Sequence, residues 1–94
     1  MDSYLVCYDI SDPKRLRQVA RTCGDFGLRR QFSVFLCRIS ATSMVKLKGR
    51  LHDVINLQED QVLIIPLCDR CAERIEALGR PVEAFDARDV VIVT

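Results

Sequence analysis

The sequence predicts an α+β fold: a ferredoxin-like βαββαβ sandwich with a C-terminal extension ending in a short strand. Three observations carry this. Over residues 4–67 the apolar pattern alternates between strand-like and helix-like runs, in the order strand, helix, extended, helix, strand. Helix-start chemistry stands at Asp12-Pro13 and again at Ser40-Ala41-Thr42-Ser43. The extended stretch 28–39 is long enough for two strands, which completes a split βαβ unit. The chain of 94 residues is one domain, with its core at about residues 3–67 and the extension at 68–94.

Ser3-Tyr4-Leu5-Val6-Cys7-Tyr8 is apolar, β-branched and aromatic, and reads as a buried strand. Asp12 is a suitable N-cap and Pro13 a suitable first helical residue; the helix is expected to run to about Phe26, with Gly27 stopping it. Leu16, Val19, Ala20 and Cys23 fall on its apolar face, while Lys14, Arg17 and Arg21 share another face with Arg15 beside it. Leu28 to Ile39 bends near Gln31 to Ser33, and Phe32 and Phe35 read as core rather than as base-stacking platforms. The second helix opens at Ser40 with Met44, Leu47, Leu51, Val54 and Ile55 inward; Lys46, Lys48 and Arg50 lie outside that face and His52 reads as surface. After a turn at Asn56 to Asp60 comes the strand Gln61 to Leu67. Asp69 to Leu78 is expected as a short helix stopping at Gly79, and Val90-Val91-Ile92-Val93 as a terminal strand. A core this small is marginal alone, and the apolar end of the extension needs a cover, so a homodimer is expected.

Composition removes several classes. With 49% hydrophobic and 29% charged residues the chain is neither disordered nor low-complexity. No apolar run is long enough to cross a membrane, and Met1-Asp2-Ser3-Tyr4 lacks the basic and apolar regions of a signal peptide, so a cytoplasmic protein with reduced thiols is expected. No P-loop, dinucleotide fingerprint or nucleophile elbow occurs. Cys7, Cys23 and Cys37 fall within apolar patterns and read as small hydrophobes. Cys68-Asp69-Arg70-Cys71 is a lone C-x-x-C without a second pair for zinc; it reads as structural thiols, ahead of a dimer-shared metal or a redox pair.

A net charge of +1 conceals a strong segregation. Residues 14–50 hold ten Lys or Arg against Asp25 alone, whereas residues 51–94 hold four Arg against nine acids. A basic middle of this density suggests a polyanion-binding face. Its arginines carry the forked donor that grips phosphate without reading base sequence. Asp9 ends the first strand just before the turn into the helix, where a carboxylate reaches solvent. It reads either as a turn or ion-pair residue or as a metal ligand. Magnesium accepts one or two carboxylates with waters and substrate phosphates, so a two-fold dimer with Asp9 near its axis would supply the pair. Asp12 reads as a cap, not a ligand.

Tyr8-Asp9-Ile10-Ser11-Asp12-Pro13-Lys14-Arg15-Leu16-Arg17, then Gly27-Leu28-Arg29-Arg30-Gln31-Phe32-Ser33-Val34-Phe35, then Pro66-Leu67-Cys68 with Cys71 resemble the small CRISPR-associated Cas-two family, nearly full-length in order and spacing. The resemblance implies a ferredoxin-like homodimer in which the last strand pairs with the other protomer's sheet. It implies a role in CRISPR adaptation, with the dimer holding incoming duplex DNA between Cas-one integrase subunits. It also implies, for some members, magnesium-dependent endonuclease activity on single-stranded RNA or double-stranded DNA. In that setting Asp9 would be the catalytic residue and metal ligand, with the ion shared across the dimer. Lys14, Arg15, Arg17, Arg21, Arg29 and Arg30 would bind nucleic acid, with Tyr8 and Phe35 supporting; the choice between Arg15 and Arg17 stays open. The competing readings are a toxin-type ribonuclease outside CRISPR and a small-molecule-binding regulatory domain, since topology alone does not fix function.

Overall fold

The computed structural model describes residues 1–79; the expected terminal strand at 90–93 lies outside the described residues. The elements are β1 (Asp2–Asp9), α1 (Pro13–Gly24), β2 (Leu28–Gln31), β3 (Val34–Ile39), α2 (Ala41–Val54), β4 (Gln61–Leu67) and α3 (Asp69–Glu73). The four strands form one sheet in the order β2-β3-β1-β4, every neighbouring pair antiparallel. This is the split βαβ arrangement: each helix-linked pair, β1 with β2 and β3 with β4, is separated by one strand running the other way.

The caps fall where the side-chain chemistry demands. The Asp12 carboxylate accepts from Arg15 N–H at 2.9 Å, and Ser40 Oγ accepts from Ser43 N–H at 3.1 Å. Asn56 Oδ1 accepts from the N–H groups of Gln58 and Glu59, closing the turn into β4. α1 ends earlier than expected. Gly24 is a poor helix former, and the N–H groups of Phe26 and Gly27 both turn back to Cys23 O at 3.0 Å. α3 is also shorter than expected. None of its residues is buried, so no packed stripe sustains a helix through Leu78.

Both helices cover one face of the sheet. Val6, Val19, Cys23, Cys37 and Leu47 are fully inaccessible there, with Phe35, Met44, Leu51 and Tyr8 nearly so. Strand registers sort the other side chains. Val6 lies opposite Phe35 and Ile64, and Tyr4 opposite Cys37 and Pro66, all toward the helices. The alternate residues Leu5, Cys7, Val34, Leu36, Leu63 and Ile65, joined by Leu28, line the opposite face, which neither α1 nor α2 covers. Leu28, Leu63 and Ile65 are 43%, 50% and 41% exposed.

Gly27 lets β2 enter close beside β3. A methyl group on it would sit 2.5 Å from both Cys37 Sγ and Leu36 O. Gly27→Ala is therefore expected to push β2 off β3 and cost about 1–3 kcal/mol, as overpacking does. Urea denaturation should show a lower midpoint with an unchanged slope. An unshifted midpoint would mean that the edge strand moves without cost.

Candidate nucleic-acid interface and carboxylate site

Three aspartates gather where β1 runs into α1, and they differ in commitment. Asp12 is spent as the α1 cap. Asp60 immediately precedes Gln61, the register partner of Asp9. Its carboxylate is fully covered and accepts from Arg15 Nε at 2.8 Å, Arg15 Nη2 at 3.2 Å, Ser11 N–H and Oγ at 3.0 Å each, and Asn56 N–H at 2.8 Å. The Arg15 guanidinium holds this carboxyl well below the usual carboxylate range; burial opposes the shift, and the N–H groups of Asn56 and Ser11 reinforce it. Asp9 is exposed and, among the described residues, makes no ion pair or side-chain hydrogen bond. It is the one carboxylate of the three free to take a ligand.

Asp9 and Tyr8 are adjacent in an extended strand, so they point to opposite faces. Asp9 shares its face with Cys7 and Leu5, the uncovered one. Tyr8 points into the core, where it stacks on Phe35 with ring centroids 6.3 Å apart. The Tyr8 hydroxyl donates to Phe32 O at 3.2 Å, and burial raises its pKa against the pull of Arg29. The Arg29 guanidinium lies 5.1 Å from the Phe35 ring centroid and 5.6 Å from that of Phe32. Tyr8, Phe35 and Arg29 thus form one cluster on the helix side, across the sheet from Asp9. Phe32 corrects the expectation of a core residue. It occupies the β2–β3 turn, beyond the bulge between Arg29 and Gln31, and is 62% exposed.

The basic residues divide in the same way. Lys14, Arg17 and Arg21 are exposed on the outer face of α1, and Lys46 and Lys48 on α2. Arg50 is taken by Asp25 at 2.9 Å. Arg30 is half-buried on β2. Arg15 turns away from the face of Lys14, Arg17 and Arg21 to clamp Asp60 and Glu59. Between Arg15 and Arg17, only Arg17 presents an uncommitted guanidinium among the described residues. The Arg15–Asp60 clamp escaped the sequence reading because its partners are 45 positions apart. The acidic pair Glu59-Asp60 before a strand was visible, but nothing local named its partner.

The donor chemistry of Asp9, an exposed hard-oxygen carboxylate, suits magnesium. Within one chain Asp9 would stand as a single uncommitted carboxylate: the described residues contain no group of three or more His, Cys, Asp or Glu that could hold a metal ion. A second copy would bring a second Asp9, the pair of carboxylates that magnesium accepts with waters. No helix among the described residues is long and apolar enough to cross a membrane.

Fold and site together define a small α+β subunit with a cation-bearing helix layer and a free carboxylate at the rim of an uncovered sheet face. The family described as CRISPR associated protein Cas2 matches residues 1–75, and the chain belongs to that family. It is 40% identical over 83 residues to "CRISPR-associated endoribonuclease Cas2 4" of Rhodospirillum rubrum, covering 88% of this chain and 67% of the relative. It is 32% identical to "CRISPR-associated endoribonuclease Cas2" of Geobacter sulfurreducens, covering 96% of each. Among solved structures, Cas2 of Streptococcus pyogenes superposes with a TM-score of 0.76 at 38% identity, over 82% of this chain and 99% of that one.

Proposed function

We propose that the chain works as a homodimer at the spacer-capture stage of a CRISPR system. The exposed cations of α1 and α2 hold duplex DNA for Cas-one integrase subunits, and the two Asp9 carboxylates hold a magnesium ion for phosphodiester hydrolysis. One observation carries the reading. Asp9 is uncommitted and lies on the uncovered sheet face, where only a second copy supplies another Asp9. When bound, the ion neutralises charge developing on the phosphate and lowers the pKa of a water. The protein's part is to fix the carboxylates through the Asp60-anchored turn, while the cations of the helix layer grip duplex phosphates. The names of the relatives favour RNA as the strand that is cut. Family membership favours this over the toxin-type and small-molecule readings.

In this reading holding and cutting are separate, because Lys14, Arg17 and Arg21 lie on the helix layer and Asp9 on the opposite sheet face. Wild type, Asp9→Ala and Arg17→Ala are to be incubated with labelled single-stranded RNA and duplex DNA, in magnesium and in EDTA. Asp9→Ala should lower cleavage roughly 100-fold or more, as EDTA does, and leave duplex retention unchanged. Arg17→Ala should flatten the salt dependence of duplex binding, by about 0.9 in the log–log slope for each phosphate contact removed. Cleavage that survives both EDTA and Asp9→Ala overturns the metal site; an unchanged salt slope moves the DNA face off α1.

A further inference from the structure

We propose that Cys68 and Cys71 form a thiol–disulfide exchange site, with Cys68 as the attacking sulfur and Cys71 as the resolving one. A low-molecular-weight disulfide such as glutathione disulfide is its oxidant. The proposal is independent of the Asp9 site and of nucleic-acid binding.

The five cysteines fall into distinct environments. Cys23 and Cys37 are fully buried in the core, and burial pushes their thiols up to about 12 and about 11. Cys7 is half-buried on the uncovered sheet face. Cys68 and Cys71 are both exposed free thiols where β4 hands over to α3. A cysteine held for packing is buried; this pair is not.

Local geometry joins the two. Cys68 is the N-cap of α3, and its Sγ accepts from Cys71 N–H at 3.3 Å. Residues three apart on a helical turn lie about 5–6 Å apart at Cβ, so about 1–2 Å of closure brings the pair to the roughly 3.5–4.5 Å that a disulfide needs. No residue of α3 is buried, so the small adjustment meets no packed core. The pair is also unequal. The N–H of Cys71, then its side chain, lowers the Cys68 pKa, while the hydrogen bond with Cys68 raises that of Cys71. The more readily formed thiolate is the first nucleophile. A tetrahedral thiolate metal site needs four ligands, and among the described residues no third His, Cys, Asp or Glu joins the pair.

The chemistry balances. The Cys68 thiolate attacks one sulfur of the small disulfide; that S–S bond breaks, a mixed disulfide forms, and one small thiolate leaves. Cys71 then loses its proton to solvent and attacks the Cys68 sulfur, which forms the Cys68–Cys71 bond and expels the second small thiol. The protein dithiol is oxidised by two electrons and the small disulfide is reduced to two thiols. The new bond ties the first turn of α3 to the end of β4.

The test uses reduced, folded full-length protein with glutathione disulfide, followed by intact mass and peptide mapping over time. Wild type should pass through a Cys68 adduct to a protein lighter by two hydrogens, reversed by a dithiol reductant, with Cys23 and Cys37 unmodified. Cys71→Ser should retain the Cys68 adduct. Cys68→Ser should slow modification of Cys71 at least about tenfold against Cys68 in Cys71→Ser. Circular dichroism confirms that both variants are folded. Equal rates at the two sulfurs, faster modification of Cys7, or an adduct in wild type that never resolves would overturn the assignment. So would stoichiometric zinc in the purified protein that is lost in both variants.

Discussion

Asp60→Ala is expected to lower the urea midpoint at pH 7 more than any other surface-turn substitution in this chain. The carboxylate is fully covered and serves four separate groups: the Arg15 guanidinium, the Ser11 N–H, the Ser11 hydroxyl and the Asn56 N–H. Removing it leaves the Arg15 guanidinium with Glu59 alone and takes the acceptor from the Ser11 and Asn56 N–H groups together, so several contacts of the turn are lost at one position. The sign with pH follows from the depressed folded pKa of Asp60. Its stabilisation is complete above the ordinary carboxylate value of about 4 and fades as pH falls toward the folded value. The gap between wild type and Asp60→Asn should therefore be full at pH 7 and begin to shrink only below about pH 4, closing as pH approaches the folded value. Arg15→Gln combined with Asp60→Asn should cost less than the sum of the single changes, because the two share one interaction. Equal midpoints for wild type and Asp60→Ala at pH 7 would remove the clamp from the stability of the fold. The substitution also reaches the site, since Ser11 stands two residues after Asp9 and is pinned to Asp60 through both its N–H and its hydroxyl.

What the sequence made legible was local. The Asp12-Pro13 and Ser40 caps bond as their side chains require, and the bend between β2 and β3 falls at Phe32 and Ser33, inside the expected stretch. Strand alternation likewise puts Asp9 with Leu5 and Cys7, opposite Tyr8. What stayed hidden was the long-range choice of partner. Arg15 reads as one more cation beside Arg17, and only the folded chain brings Asp60 to it. Phe32 looks like core by residue type, yet it occupies a turn where Arg29 lies over its ring. The extension to Leu78 read as a helix because its residues permit one, but without an apolar stripe pressed on the sheet the helix ends at Glu73.

Ile65→Glu is expected to break the proposed homodimer into monomers while leaving each protomer folded. Ile65 lies opposite Leu5, which in turn lies opposite Leu36, so the substitution puts a charge within the apolar row that crosses the uncovered face. In the isolated protomer Ile65 is 41% exposed, and a glutamate there keeps its contact with water. Once two such faces close on each other, the carboxylate loses that water inside an apolar row, and taking a charge out of water there costs several kcal/mol. A two-fold contact presents each substitution twice. The dimer dissociation constant should accordingly rise at least about 100-fold, since each 1.4 kcal/mol is a factor of ten. Sedimentation over a concentration series reads the dissociation, and urea denaturation in the monomer range should match wild type within about 0.5 kcal/mol. Because Asp9 lies on the same face, cleavage should fall with the dimer although Asp9 itself is intact. A variant that stays dimeric would move the interface elsewhere and leave the paired-carboxylate site without its second half. A monomer that still cuts at the wild-type rate would show that one Asp9 suffices.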